Sequence, residues 1–130
     1  MSNILNVPSI EIKKFIEKNP NSVLLDVRTE EEWNGVGRPN AENFKITTYF
    51  ISLLVGPDRK KNDNFLKEFL DKKVAKDKNI LVICRSGMRS LTAAKMLEEN
   101  GYKNCFNIAD GFEGNPAVGE GWKKNNLPCK

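Results

Sequence analysis

The stretch Ile80-Leu81-Val82-Ile83-Cys84-Arg85-Ser86-Gly87-Met88-Arg89-Ser90 constrains the fold more than any other. A short apolar run of β type stops at Cys84. A polar loop follows. From Met88 to Asn100 the apolar residues recur at helical spacing, with Leu91, Ala94 and Leu97 on one face and Gly101 as the stop. A cysteine at such a junction lies against a helix N-terminus and beside Arg85 and Arg89. Both surroundings favour a thiolate over a thiol. The loop amides from Arg85 to Arg89 can also turn inward as a nest for an anion, and the two arginines add charge-assisted donors.

The rest of the chain reads as a scaffold for that loop. Ile4 to Val7 suits a short edge strand. Ser9 is placed to cap a helix from Ile10 to about Lys18, with Ile12, Phe15 and Ile16 on one face. Asn19-Pro20-Asn21 is a turn. Val23 to Val27 has buried-strand character, with Asp26 and Arg28 at its tip. Thr29 and Glu32 match a capping box, and the helix they open, carrying Trp33, is expected to end at Gly35. Ala41 to Ile46 is a weak strand candidate, and residues 47–61 give no clear pattern. Phe65, Leu66, Phe69 and Leu70 share a helical face within about Asn64 to Val74. Tyr102 to Ile108 suits another strand, and Trp122 to Asn126 a short last helix.

Strands that alternate with helices predict an α/β domain with a largely parallel sheet. Ligands of such sheets bind beyond the carboxyl ends of the strands. The tip at Asp26 and Arg28 and the tip at Cys84 are therefore expected to face one pocket.

Composition excludes much of the competing chemistry. The chain of 130 residues suits one domain and has no histidine. Mechanisms with a histidine base are thereby removed, and a zinc site is disfavoured, since no Cys-x-x-Cys pair is present either. Three cysteines do not suggest a disulfide framework. Cys105 is expected to be a buried core residue and Cys129 an exposed bystander. No cofactor is implied. A net charge of +4 spread among interleaved acids gives no nucleic-acid patch, and no apolar run is long enough to span a membrane. Residues 1–6 lack the features of a signal peptide, so a cytoplasmic location is expected.

Spacing separates the reactions open to Cys84. Cysteine-dependent phosphatases carry Cys-x5-Arg around a phosphate. Here the fifth residue past Cys84 is Arg89 and the sixth is Ser90, giving Cys-x4-Arg. The smaller cradle suits a sulfur atom.

These residues resemble a family. Leu25-Asp26-Val27-Arg28, then Glu31-Glu32-Trp33 and Gly35, then Cys84 to Ser90, with Gly111-Phe112 and Trp122 to Pro128 downstream, are similar to the single-domain rhodanese sulfurtransferases over about residues 7–128. The resemblance implies a single domain over 1–130, with a mainly parallel sheet of about five strands and helices on both faces. It implies that Cys84 takes sulfur from an anionic donor such as thiosulfate, becomes a persulfide, and yields the sulfur to cyanide, a thiol or a protein acceptor. Arg85, Ser86, Gly87, Met88 and Arg89 would bind the donor, with Asp26 and Arg28 supporting the fold around them. Many members carry a histidine after the second helix. Gly35-Val36-Gly37-Arg38-Pro39-Asn40-Ala41 has none and adds Arg38. Two alternatives stay open: a persulfide carrier or regulatory module of the same fold, and a phosphatase or arsenate reductase disfavoured by loop length.

Overall fold

The computed structural model describes residues 4–130; the N-terminal reading at Met1, Ser2 and Asn3 lies outside the described residues. Among the described residues, five strands form one parallel sheet in the order β1-β7-β6-β2-β3. They are β1 (Leu5–Val7), β2 (Ser22–Asp26), β3 (Thr48–Phe50), β6 (Asn79–Ile83) and β7 (Cys105–Ile108). A small antiparallel hairpin, β4 (Leu54–Val55) and β5 (Lys60–Lys61), stands apart from it. The helices are α1 (Ile12–Lys18), α2 (Glu30–Val36), α3 (Phe65–Asp71) and α4 (Met88–Glu99).

Side-chain alternation divides the sheet into two apolar faces. Val23, Leu25, Val27, Ile80 and Val82 pack with Phe65, Phe69, Ala93, Ala94 and Leu97 of α3 and α4. Leu24, Leu81, Ile83 and Ile108 pack with Ile12 and Ile16 of α1 and with Phe112 and Trp122. Strands buried on both faces read as continuous apolar runs, which is why β2 and β6 are evident in the sequence. Parity then puts Cys84, the residue after β6, on the α4 face.

Several elements depart from expectation. Ser9 does not cap α1. It lies in a 3-10 turn, Ser9–Glu11, and its hydroxyl donates to Asp110 Oδ2 at 2.6 Å while its amide donates to Oδ1 at 2.8 Å. A long-range carboxylate has captured the capping group. The segment Ala41–Phe44 is a 3-10 turn, not a strand; Asn40 N donates to Pro128 O and Lys45 takes a left-handed φ of 64°, so an extended path is closed. The edge strand beside β2 is instead β3, inside the stretch that carried no pattern. Helix α2 runs one residue past Gly35, and Gly37 (φ 107°) ends it. Helix α3 stops at Asp71, before the left-handed Lys73. β7 begins at Cys105, after Asn104 O accepts from Ile80 N. Residues 122–126 form turns, not a helix; Leu127 N folds back to Trp122 O at 3.1 Å.

Candidate active site

Parallel register brings the two predicted tips together. Asp26 lies opposite Ile83, and Val27 N donates to Ile83 O at 3.0 Å, so the residues after β2 and β6 leave the sheet side by side. Arg28 and Asp26 form a wholly buried ion pair: Arg28 Nη2 donates to Asp26 Oδ2 at 2.9 Å, and Arg28 Nε reaches both carboxylate oxygens at 3.1 Å. Arg28 Nη2 also donates to Gly37 O at 2.9 Å, and its guanidinium carbon sits 4.2 Å from the Phe112 ring centroid. The pair locks the β2 tip.

Cys84 is only 1% exposed. Its Sγ accepts from Gly87 N at 3.2 Å and lies 3.3 Å from Ser90 Oγ. The loop carbonyls face the other way. Those of Cys84 and Arg85 accept from Phe112 N at 2.8 Å and Glu113 N at 3.0 Å. Those of Ser86 and Gly87 accept from Asn115 Nδ2 at 3.0 Å and Asn107 Nδ2 at 3.1 Å. The segment 107–115 thus braces the loop from outside and holds four successive carbonyls away from the sulfur. The two arginines differ. Arg85 is 62% exposed, with Nε 3.3 Å from Glu113 Oε2. Arg89 is 13% exposed and clamps Glu32 in a bidentate pair, at 2.7 and 2.9 Å.

Residues 10–115 match the rhodanese-like domain. The chain belongs to that family. It is 44% identical over 125 residues to an uncharacterized Rickettsia prowazekii protein, RP600, covering 96% of each chain. It is 38% identical over 88 residues to thiosulfate sulfurtransferase 18 of Arabidopsis thaliana, covering 68% of this chain and 62% of that one. The crystal structure of Rv0390 from M. tuberculosis superposes with a TM-score of 0.85 at 31% identity, over 99% of this chain and 98% of that one.

The Cys84 loop rests closely on its brace, and Gly111 shows how closely. Its φ is +64°, and a Cβ there would lie 2.4 Å from Arg85 O and 2.7 Å from Cys84 O. Both neighbours are backbone and cannot swing aside. Gly111→Ala is therefore expected to cost about 3 kcal/mol or more, read as a fall in Tm on the order of 10 °C.

Glu32, legible in the sequence as a capping residue, has a second role at the site that the sequence does not show. Its capping role is present: Thr29 Oγ1 accepts from Glu32 N, and Glu32 Oε1 accepts from Thr29 N. The same oxygen takes Arg89 Nη1, and Arg59 Nη2 from the β4–β5 hairpin comes within 3.6 Å. Burial works against the Glu32 charge. The hydrogen bonds from Arg89 and Thr29 and the Arg89 charge outweigh it, and hold the carboxyl at about 2, below its ordinary 4.5. Burial likewise opposes the Arg89 charge, and Glu32 again prevails and raises its pKa. A depressed carboxylate stabilises the fold above its ordinary pKa and loses that contribution as pH falls toward the folded value. Urea unfolding is thus expected to weaken between about pH 4.5 and 2 by up to about 3 kcal/mol from this group. Glu32→Gln flattens that limb.

Two further residues escaped notice. In the sequence Ser90 reads only as the end of the motif, and Asn107 only as part of a strand. An asparagine inside Cys105-Phe106-Asn107-Ile108 was the available signal, because a polar group buried in a strand needs partners. Cys105 is buried, and burial, with the Glu98 charge, pushes its thiol to about 12. Cys129 is exposed, and its Sγ donates to Leu127 O at 3.3 Å. A cavity of about 390 Å³ lies between α1 and residues 43–46, lined by Lys13, Ile16, Phe44 and Ile46 among others and by none of the Cys84 loop. Among the described residues no cluster of metal-ligating side chains occurs, and no helix is long and apolar enough to cross a membrane.

Proposed function

We propose that this rhodanese-like protein moves sulfane sulfur from a small anionic donor such as thiosulfate to cyanide or a thiol, through a persulfide on Cys84. The braced loop supports this reading above all. Carbonyls 84–87 are engaged outward, while the Gly87 amide donates to the sulfur.

In the first half-reaction the Cys84 thiolate attacks the outer sulfur of thiosulfate. A sulfur–sulfur bond to Cys84 forms, the bond to the sulfonate sulfur breaks, and its electron pair leaves with sulfite. In the second, cyanide attacks the terminal sulfur of the persulfide. Thiocyanate departs and the thiolate returns. The electron count closes without an external oxidant. The loop amides from Arg85 through Ser86, Gly87 and Met88 to Arg89 form the donor site. Arg85, largely exposed, draws in the anion, and Arg89 contributes a charge whose direction Glu32 fixes. Asp26 and Arg28 support the loop from the neighbouring strand tip.

Position 90 also speaks against phosphate chemistry. A Cys-x5-Arg loop would place an arginine there, whereas Ser90 donates inward to Asn107 Oδ1. The test is steady-state kinetics with thiosulfate and cyanide varied together. Parallel double-reciprocal lines are expected for the two-step mechanism. Hydrolysis of an aryl phosphate with no thiocyanate formed would overturn it.

A further inference from the structure

The hydrogen bonds around Cys84 fix the direction of a proton, and that direction is set from outside the loop. Asn107 Nδ2 donates to the backbone carbonyl of Gly87 at 3.1 Å and to Asn6 Oδ1 at 3.0 Å. A backbone carbonyl only accepts, so the Asn107 amide cannot be turned the other way. Its Oδ1 therefore faces Ser90, and Ser90 Oγ must donate to it. A serine hydroxyl has one proton. With that proton on Asn107, Ser90 can only accept from Cys84 Sγ, 3.3 Å away. The Gly87 amide already donates to the sulfur from the other side. The four groups form a closed chain: Gly87 N–H to Cys84, Cys84 S–H to Ser90, Ser90 O–H to Asn107, Asn107 N–H back to Gly87 O.

We infer that Ser90 and Asn107 hold the resting proton on Cys84, with Ser90 acting as an acceptor from the thiol and Asn107 as the positioning residue that keeps it so. This rests on Cys84 being the reactive sulfur. Ionisation sends the proton to solvent base. The Ser90 hydroxyl must then either turn its lone pairs to a thiolate or rotate its proton onto the sulfur and leave Asn107 Oδ1 buried without a donor. Either route opposes the thiolate. The charged groups around the site are Arg89 with its partner Glu32 from α2, Arg59 on the same carboxylate, the Asp26–Arg28 pair at the β2 tip, and Arg85 with Glu113. Ser90 and Asn107 carry no charge, so their effect is separable from these by substitution.

The test is the pH dependence of Cys84 alkylation by iodoacetamide, followed by peptide mass to separate it from Cys129. Alkylation needs no sulfur donor, so it stands or fails independently of the sulfurtransferase reading. Asn107→Leu releases the Ser90 proton to the sulfur, and the reaction midpoint is expected to fall by about one pH unit, roughly tenfold faster at low pH. Ser90→Ala removes the thiol's acceptor and is expected to speed low-pH alkylation by about two- to fivefold. In the double variant the Asn107 effect should vanish, because it acts through Ser90. A slower low-pH reaction or an unchanged profile in Ser90→Ala would show Ser90 to be a donor to the thiolate or a bystander, and would overturn the inference. So would an Asn107→Leu shift that persists in the double variant. Should Asn107→Leu fail to fold, the sign of the Ser90→Ala change decides alone.

Discussion

Asp26→Ala is expected to destabilise the protein by about 3–5 kcal/mol, the usual cost of stranding one member of a buried ion pair. The whole stability of a domain is only about 5–15 kcal/mol, so the variant should be marginally folded or insoluble. The reason lies in Arg28. It is fully buried, and Asp26 neutralises it through both carboxylate oxygens. Without the carboxylate its charge keeps, among the described residues, only Gly37 O and the face of Phe112, and Nη1 has no hydrogen-bond partner among them even in the intact protein. Replacing both members with apolar residues, Asp26→Leu with Arg28→Met, should recover much of the loss, because the desolvation penalty leaves with the charges. Urea denaturation of the three proteins checks this. A single-variant cost below about 1 kcal/mol would mean that water reaches Arg28.

Cys84→Ser carries the largest expected effect on activity. Thiocyanate formation should drop by at least about a thousandfold, since a serine hydroxyl at neutral pH has neither the anion nor the nucleophilicity of a thiolate, and no histidine exists to activate it. Stability should change by less than about 1 kcal/mol. The groups that contact Sγ, Gly87 N and Ser90 Oγ, can hydrogen-bond a hydroxyl as well. Thiosulfate-to-cyanide rates and urea unfolding on the same preparation separate a chemical loss from a folding one.

What could be read from the sequence was local. The β6 run, the loop after it and the first turn of α4 are specified by neighbouring residues, and they stand where the pattern put them. The Thr29–Glu32 box is likewise local and present. Its second role was invisible, because Glu32 meets Arg89 across 57 positions of sequence. Ser9 shows the same limit in reverse: a good cap by type, it was taken by Asp110, 101 positions away. Residues 47–61 give no clear pattern, and 41–46 misleads toward a strand, for a related reason. Their path is set by Pro128, which accepts from Asn40 just before them, by Asp26 O and Val27 O, and by the Arg28 carbonyl that accepts from Ser52, none of them nearby in sequence. The loop brace from 107 to 115 belongs to this class as well. Asn107, Gly111 and Asn115 look unrelated along the chain and converge only when β7 pairs with β6.

The sulfur-carrying role proposed for Cys84 is tested most directly by intact mass. Wild type and Cys84→Ser are each incubated with thiosulfate, weighed, and weighed again after cyanide. Persulfide chemistry at Cys84 predicts one added sulfur atom on the wild type, removed by cyanide, and none on Cys84→Ser. A wild type that gains no sulfur, or an adduct that survives the Cys84→Ser substitution, would contradict it.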